Sequence, residues 1–255
     1  MSSTDQFLIS LQVYQESQSA LRPPEETAVF LDPDPFQEPP LASGPLLLGI
    51  GADGHRLTLD LYEPSSGPLL VVGDPGCGRT TLLRSLADAS ASLLDVQFAV
   101  LTPFPEEWRL QETSAECLGV WPVYHPYAAD FLERFVSWSR VLPRTRQVIL
   151  LFIDDMDMLR IAPPVLQPLR WLLKHGPASR VWTFLSHNLQ RAGRLDTLLP
   201  RFHTRILGRS QAGDTLNRLV GNPTPGLASL QPGRQFILQD EHESRLFSID
   251  PSEGE

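Results

Sequence analysis

The sequence predicts a doubly wound α/β domain, with a mostly parallel sheet and β-hairpins flanking it. Three observations predict it. Short, continuously apolar runs at residues 68–72 and 147–153 have the length and texture of strands buried on both faces. Stretches with apolar residues at helical spacing alternate with such runs, the order expected when parallel strands are joined by crossover helices. A glycine-rich turn joins the first buried run directly to one of those helical stretches.

The elements follow in order. Apolar runs at 46–50 and 55–61 flank Asp53-Gly54, a dipeptide that favours a tight turn, so a β-hairpin opens the domain. The buried strand at 68–72 and the glycine-rich turn lead into a helix at 80–91, followed by a strand at 96–101. Phe131, Leu132, Phe135 and Val136 recur at helical spacing, and the second buried strand covers 147–153. Val165, Leu166, Leu169, Leu172 and Leu173 mark another amphipathic helix, with a strand at 180–185 behind it. A strand at 205–207 and a short helix at 215–220 precede two runs at 235–238 and 245–249, which read as a closing hairpin.

Composition narrows the class. Of the 255 residues, 42% are hydrophobic and 20% charged, ordinary values for a packed globular core. Residues 1–45 differ: seven prolines and seven acidic residues stand against the single Arg22, which predicts a partly disordered lead-in, with an apolar patch at 7–13 as a candidate strand or helix. The domain proper is expected over 46–250, with 251–255 as a tail. No apolar stretch approaches the ~20 residues needed to cross a bilayer, so membrane insertion is not expected. The start carries no basic residue before its short apolar patch, unlike a secretory signal, which makes the cytoplasm the expected location. Cys77 and Cys117 lie far apart without metal-ligand spacing and are expected to be reduced thiols. A net charge of −9 argues against a broad basic surface for nucleic acid, while leaving room for a local basic channel. The basic residues are 20 arginines and the single Lys174, a bias that bears on Arg79.

The turn reads Gly73-Asp74-Pro75-Gly76-Cys77-Gly78-Arg79-Thr80-Thr81, the P-loop spacing G-x-x-x-x-G-K-[ST] with arginine in place of lysine. Its setting, a buried strand before and a helix after, is the one a P-loop requires. Glycines let the backbone wrap around phosphates, so that successive N–H groups and the helix N-terminus face the anion, and the Thr80 hydroxyl is placed for Mg²⁺. ATP with Mg²⁺ is the expected cofactor pair. Arg79 leaves two readings open: a guanidinium that still binds phosphate, or a site too altered to turn over.

Residues 148–155 form an apolar strand ending in Asp154-Asp155, the form of a Walker B segment. Asp154 is the candidate for the metal shell and Asp155 for positioning the attacking water. The alternative is a strand-end carboxylate serving only as a turn former or helix cap. Ser186-His187-Asn188 follows the strand at 180–185, at the end where parallel sheets collect ligands. Ser186 or His187 is therefore a candidate γ-phosphate sensor, and a simple polar loop start is the other reading. Arg194, Arg201, Arg205 and Arg209 are candidates for a residue acting on a neighbouring subunit's nucleotide.

Taken together, these residues make the chain resemble the FtsK/SpoIIIE and HerA branch of P-loop ATPases. The resemblance rests on 47–51 with 59–61, on 73–81, on 153–159, and on 202–206 followed by 232–236, and spans about residues 46–250. It implies a RecA-like P-loop NTPase fold and a homo-oligomer, commonly a hexamer. It also implies work on DNA or, as in secretion relatives, on protein. By the resemblance Thr80 and Asp154 match the metal positions, Asp155 the water-activating one, and Ser186-His187 falls where the family has Thr-Gln. The departures are Arg79 for lysine, Asp155 for the usual glutamate, His187 for glutamine, and a shorter connection before the Walker B strand. An AAA+ ATPase would suit the same turn but should end in a helical bundle, whereas this chain ends in a predicted hairpin. Two functions follow: an ATP-dependent, DNA-processing or DNA-translocating NTPase, or a catalytically impaired nucleotide-binding scaffold that acts through protein partners.

Overall fold

The structure is a computed structural model that describes residues 44–123, 128–140, 147–156, 163–194, 197–211, 226–240 and 243–250. The lead-in over 1–43 with its apolar patch, the expected helix at 215–220 and the tail at 251–255 lie outside the described residues.

Ten strands form one sheet: β1 (Leu46–Gly51), β2 (Arg56–Leu59), β3 (Leu69–Gly73), β4 (Val96–Thr102), β5 (Cys117–Pro122), β6 (Val148–Ile153), β7 (Val181–Asn188), β8 (Thr204–Leu207), β9 (Gln235–Gln239) and β10 (Ser244–Ser248). Their order across the sheet is β2-β1-β10-β9-β8-β3-β7-β6-β4-β5. The six strands from β8 to β5 run parallel, and the other four extend the sheet with antiparallel pairing. The helices are α1 (Arg79–Ala91), the single turn α2 (Arg109–Glu112), α3 (Ala128–Ser139) and α4 (Pro163–His175).

Burial explains the parallel half. Every residue of β3, β4 and β6 is buried, which only a strand covered on both faces achieves. One face carries α1, whose Leu82, Leu83, Leu86 and Ala87 pack on Val71, Phe98, Phe152 and Phe184. The opposite face carries α3 and α4, whose Phe131, Leu132, Leu169 and Leu172 join Leu70, Leu151 and Leu185. Helices on both faces confirm the doubly wound α/β expectation. The crossover from β3 through α1 lands three strands away at β4, while β8 follows β7 to the other side of β3, so the strand order reverses beside β3. Ligands gather at such a switch point, beyond the carboxyl ends of the strands.

Three features differ from the sequence expectation. The two hairpins do not flank the sheet separately: β1 pairs with β10 at Ile50↔Ser248 and Gly51↔Phe247, joining both hairpins to a single sheet. The strand expected to end near Leu185 continues through Asn188, so Ser186 and His187 sit inside β7 rather than in a loop after it. The edge strand β5 is new. All six of its residues are half-buried, and it contains Gly119 and ends in Pro122, so neither alternation nor a greasy run marks it.

Phe152 packs against Phe98, Trp108 and Phe184, with ring centroids 6.1, 6.0 and 5.3 Å away. Truncation here removes contacts from three elements that cannot collapse together. Phe152→Ala is expected to cost about 3–5 kcal/mol, read as a lower urea midpoint with an unchanged slope.

Candidate nucleotide site

The glycine-rich turn leaves β3 at Gly73 and enters α1 at Arg79, with Gly78 as the N-cap residue. Gly76 and Gly78 have φ of 77° and 95°, a backbone that side chains rarely adopt and that turns consecutive N–H groups inward as an anion nest. Nothing lies within 4 Å of a Cβ placed on Gly76, whereas one on Gly78 would come within 2.3 Å of the Gly233 Cα. Gly78 is thus required twice, by its dihedral and by its neighbour.

The turn is held from both sides. On one, Asp74 N–H donates to the Arg209 carbonyl (3.1 Å), and Gln211 N–H donates to Asp74 Oδ2 (2.8 Å). On the other, Gly233 N–H donates to the Cys77 carbonyl (2.9 Å), which ties the turn before β9 to the loop. Cys77 is buried, and burial is the main cause that pushes its thiol above the ordinary range; Cys117 is pushed to about 11 for the same reason. Both cysteines are free, as expected, and are held as thiols.

Asp154, immediately after β6, is the centre of the site. Only 3% of it is exposed. The Thr80 hydroxyl donates to its Oδ2 (2.9 Å), and the Ser186 hydroxyl donates to its Oδ1 (2.7 Å) while accepting from Asp155 N–H (2.7 Å). Side chains from α1, β6 and β7 therefore meet at one carboxylate. Burial pushes the Asp154 pKa up, countered by the Ser186 and Thr80 hydrogen bonds, by the Trp108 indole and by the charge of Arg79. Asp155 has a left-handed backbone (φ 53°), uncommon for a non-glycine residue and a mark of local constraint.

The other candidates fall into place around this centre. Arg79 buries its Nη1 without a hydrogen-bond partner, and its charge reaches both Asp154 and Cys77. Thr81 continues the first turn of α1, and Pro75 is exposed at the tip of the loop. His187 is 1% exposed and in register with Val72, whose side chain packs on the face opposite α1. Ser186 is joined to the acidic pair by its hydroxyl, through Asp154 Oδ1 and the Asp155 N–H. Arg201 is exposed; Arg205 is half-buried in β8, where burial lowers its pKa. Arg209 contributes its carbonyl to the loop, and the side chain of Arg194 lies outside the described residues. Among the described residues, no group of three or more His, Cys, Asp or Glu side chains forms a ready metal cage, and no helix is long and apolar enough to cross a membrane.

Sequence reasoning missed Glu107 and Trp108. Both belong to a short turn, Pro105–Trp108, that begins just beyond the carboxyl end of β4. Burial and the negative charge of Asp154 push the Glu107 pKa up, while Arg84 opposes the shift. The available signal was position, since a Pro-Glu-Glu-Trp sequence directly after a buried parallel strand stands where such sheets hold ligands.

No protein-family model matches the sequence, and no curated protein matches it. Solved structures do. The cytoplasmic domain of the Thermomonospora curvata Type VII secretion ATPase EccC superposes with a TM-score of 0.68 at 17% identity, covering 86% of this chain and 28% of that one. The fold is that of a P-loop ATPase domain. EssC (ATPases 2 and 3) from Geobacillus thermodenitrificans gives 0.67 at 13% identity, covering 84% and 46%. The pCW3 conjugation coupling protein TcpA, in monomer form with ATPgS, gives 0.61 at 13%, covering 81% and 66%. The chain therefore spans between about a quarter and a half of the EccC and EssC chains it matches. The RecA-like P-loop fold that the motifs predict is the fold this chain has, closing β-hairpin included.

Two outcomes test the site. A folded-state carboxyl with a raised pKa holds its proton more tightly than the unfolded chain does. Asp154 therefore lowers stability progressively as pH rises above the unfolded carboxylate value, and does so fully above its folded value. Asp154→Asn is expected to melt higher than the parent at neutral pH, with the gap closing in acid, read by calorimetry. Gly78→Ala meets both a left-handed φ and the Gly233 backbone, and is expected to lose about 1–3 kcal/mol in urea unfolding.

Proposed function

We propose that the chain is a nucleoside triphosphatase that binds ATP with Mg²⁺ on residues 73–81. The observation that carries this reading is the hydrogen bond from Thr80 to Asp154. It sets the hydroxyl of the P-loop threonine and the carboxylate at the end of the Walker B strand side by side on the face covered by α1, beside a glycine nest whose Gly76 opens onto free space. The donors suit the metal. Mg²⁺ prefers hard oxygen ligands supplied by one or two carboxylates together with substrate phosphates. Thr80 and Asp154 would hold it, and Ser186 would keep Asp154 oriented from the second layer. When bound, Mg²⁺ would offset negative charge on the β- and γ-phosphates.

The chain's own residues do the rest. The N–H groups of Gly76 and Gly78 and the N-terminus of α1 would face the phosphates, the Asp74 and Cys77 N–H groups being bonded to backbone carbonyls. Arg79 carries the charge that lysine usually supplies there; its planar guanidinium can grip phosphate through two N–H groups but cannot act as a compact point charge. Asp155 is the strand-end candidate for orienting water.

A second reading, a nucleotide-binding scaffold without turnover, is favoured by one observation: Arg79 changes the group placed at the phosphate that must leave. The macromolecular partner is the finer question. A net charge of −9 favours a protein partner over the DNA that the resemblance implies, and a homo-oligomer with an arginine acting across subunits belongs to the same reading.

Fluorescent ATP-analogue binding should be Mg²⁺-dependent and should weaken at least tenfold in Asp154→Ala and Thr80→Ala, with melting curves showing that both variants fold. Absence of binding by the parent chain would overturn the reading. Arg79→Lys then separates the two functions, because a parent and variant that bind but never hydrolyse leave only the scaffold. Duplex DNA should give no anisotropy change even at low salt; salt-sensitive binding would restore DNA as the partner.

A further inference from the structure

The position usually given to the water-orienting carboxylate falls here to Asp155. This residue is one methylene shorter than glutamate, its N–H is committed to the Ser186 hydroxyl, and its backbone is left-handed. A second acid stands nearby. β4 and β6 are adjacent and in register at Leu101↔Ile153, and Asp154 N–H donates to the Leu101 carbonyl (2.8 Å). The chain that leaves β4 therefore emerges beside Asp154.

That chain is fixed in place at two points. Trp108 is fully buried against Phe152, with its indole N–H lacking a hydrogen-bond partner of good geometry yet near enough to favour the Asp154 carboxylate. Gln111, 2% exposed, donates from Nε2 to both carboxylate oxygens of Asp88 on α1 (3.0 and 3.2 Å). Between the strand and these anchors Glu107 remains solvent-accessible, within electrostatic reach of Asp154 and of Arg84. Arg84 in turn buries its Nε without a partner. The turn that carries this exposed acid is anchored on the α1 side of the sheet and follows β4, whose end lies beside Asp154.

We propose that Glu107 is the carboxylate that orients and deprotonates the attacking water, on the same face as Thr80 and Asp154. This rests on the triphosphatase reading above. In the step, the water oxygen bonds to the γ-phosphorus as the bond from that phosphorus to the β–γ bridging oxygen breaks. The bonding pair leaves with the nucleoside diphosphate, and one water proton passes to the Glu107 carboxylate. Trp108 and Gln111 are positioning residues, and the charge of Arg84 opposes the rise in the Glu107 pKa that burial and Asp154 cause.

The test compares Glu107→Gln, Glu107→Asp and Asp155→Asn with the parent chain. Three readouts are used: fluorescent ATP-analogue affinity with Mg²⁺, single-turnover hydrolysis of γ-labelled ATP, and the identity of nucleotide retained after desalting. Glu107→Gln is expected to bind within about twofold of the parent, to hydrolyse about 10²–10³-fold more slowly and to retain ATP where the parent retains ADP. Glu107→Asp is expected to fall between them. Glu107→Gln turning over at the parent rate while Asp155→Asn stalls would overturn the proposal and leave the triphosphatase reading intact. A parent that binds nucleotide without hydrolysing it would overturn the proposal and keep the scaffold. A parent that binds no nucleotide would overturn both.

Discussion

One buried carboxylate organises the carboxyl end of this sheet. Asp154 accepts hydroxyl hydrogen bonds from Thr80 at the start of α1 and from Ser186 near the end of β7, and the same Ser186 oxygen receives the Asp155 N–H. These bonds cross between strands that are already paired, so they add little to the fold itself. They set where the P-loop helix begins relative to the strand ends, to within a hydrogen bond's tolerance. The burial that raises the Asp154 pKa is a cost to the empty protein. Sites that gather charge for a ligand commonly carry such a cost, because the groups are arranged for a partner absent from the folded chain alone.

The antiparallel half has a different task. Its strands widen the sheet, and they also deliver Gly233 to the P-loop, where its N–H meets the Cys77 carbonyl and its Cα leaves no room for a side chain on Gly78. The loop is therefore clamped between the segment after β8 and the turn before β9. A loop so clamped is already ordered, which lowers the ordering cost of any ligand it takes.

Much of this was legible in the sequence because its physics is local. A run such as Val148–Ile153 with no polar residue can only be a strand or helix buried on both sides, and its length selects the strand. Glycine spacing between such a strand and a helix is nearly sufficient to specify a P-loop. What could not be read is tertiary. The half-buried β5 lacks a pattern because an edge strand that contains Gly119 and ends in Pro122 answers to neighbours from other elements. The joining of the two hairpins through β1 and β10 depends on pairing residues almost 200 positions apart, which no local window contains. Ser186 was visible as a candidate, but its bond to Asp154 depends on the pairing of β6 with β7. Glu107 was hidden in a Pro-bounded turn whose nearness to Asp154 follows only from the β4–β6 register.

The strand order also governs how the protein comes into being. β3 carries the P-loop, yet both strands that flank it, β7 and β8, lie more than a hundred residues downstream. During synthesis the glycine loop emerges early and must wait, with an apolar strand uncovered, until the chain beyond residue 204 has left the ribosome. The opening hairpin waits longer still, since its place in the sheet is made by β10. Long-range pairing of this kind slows folding and leaves greasy edges open to mispairing. A nascent chain of this topology gains most from a chaperone during the interval between the two halves of its parallel sheet.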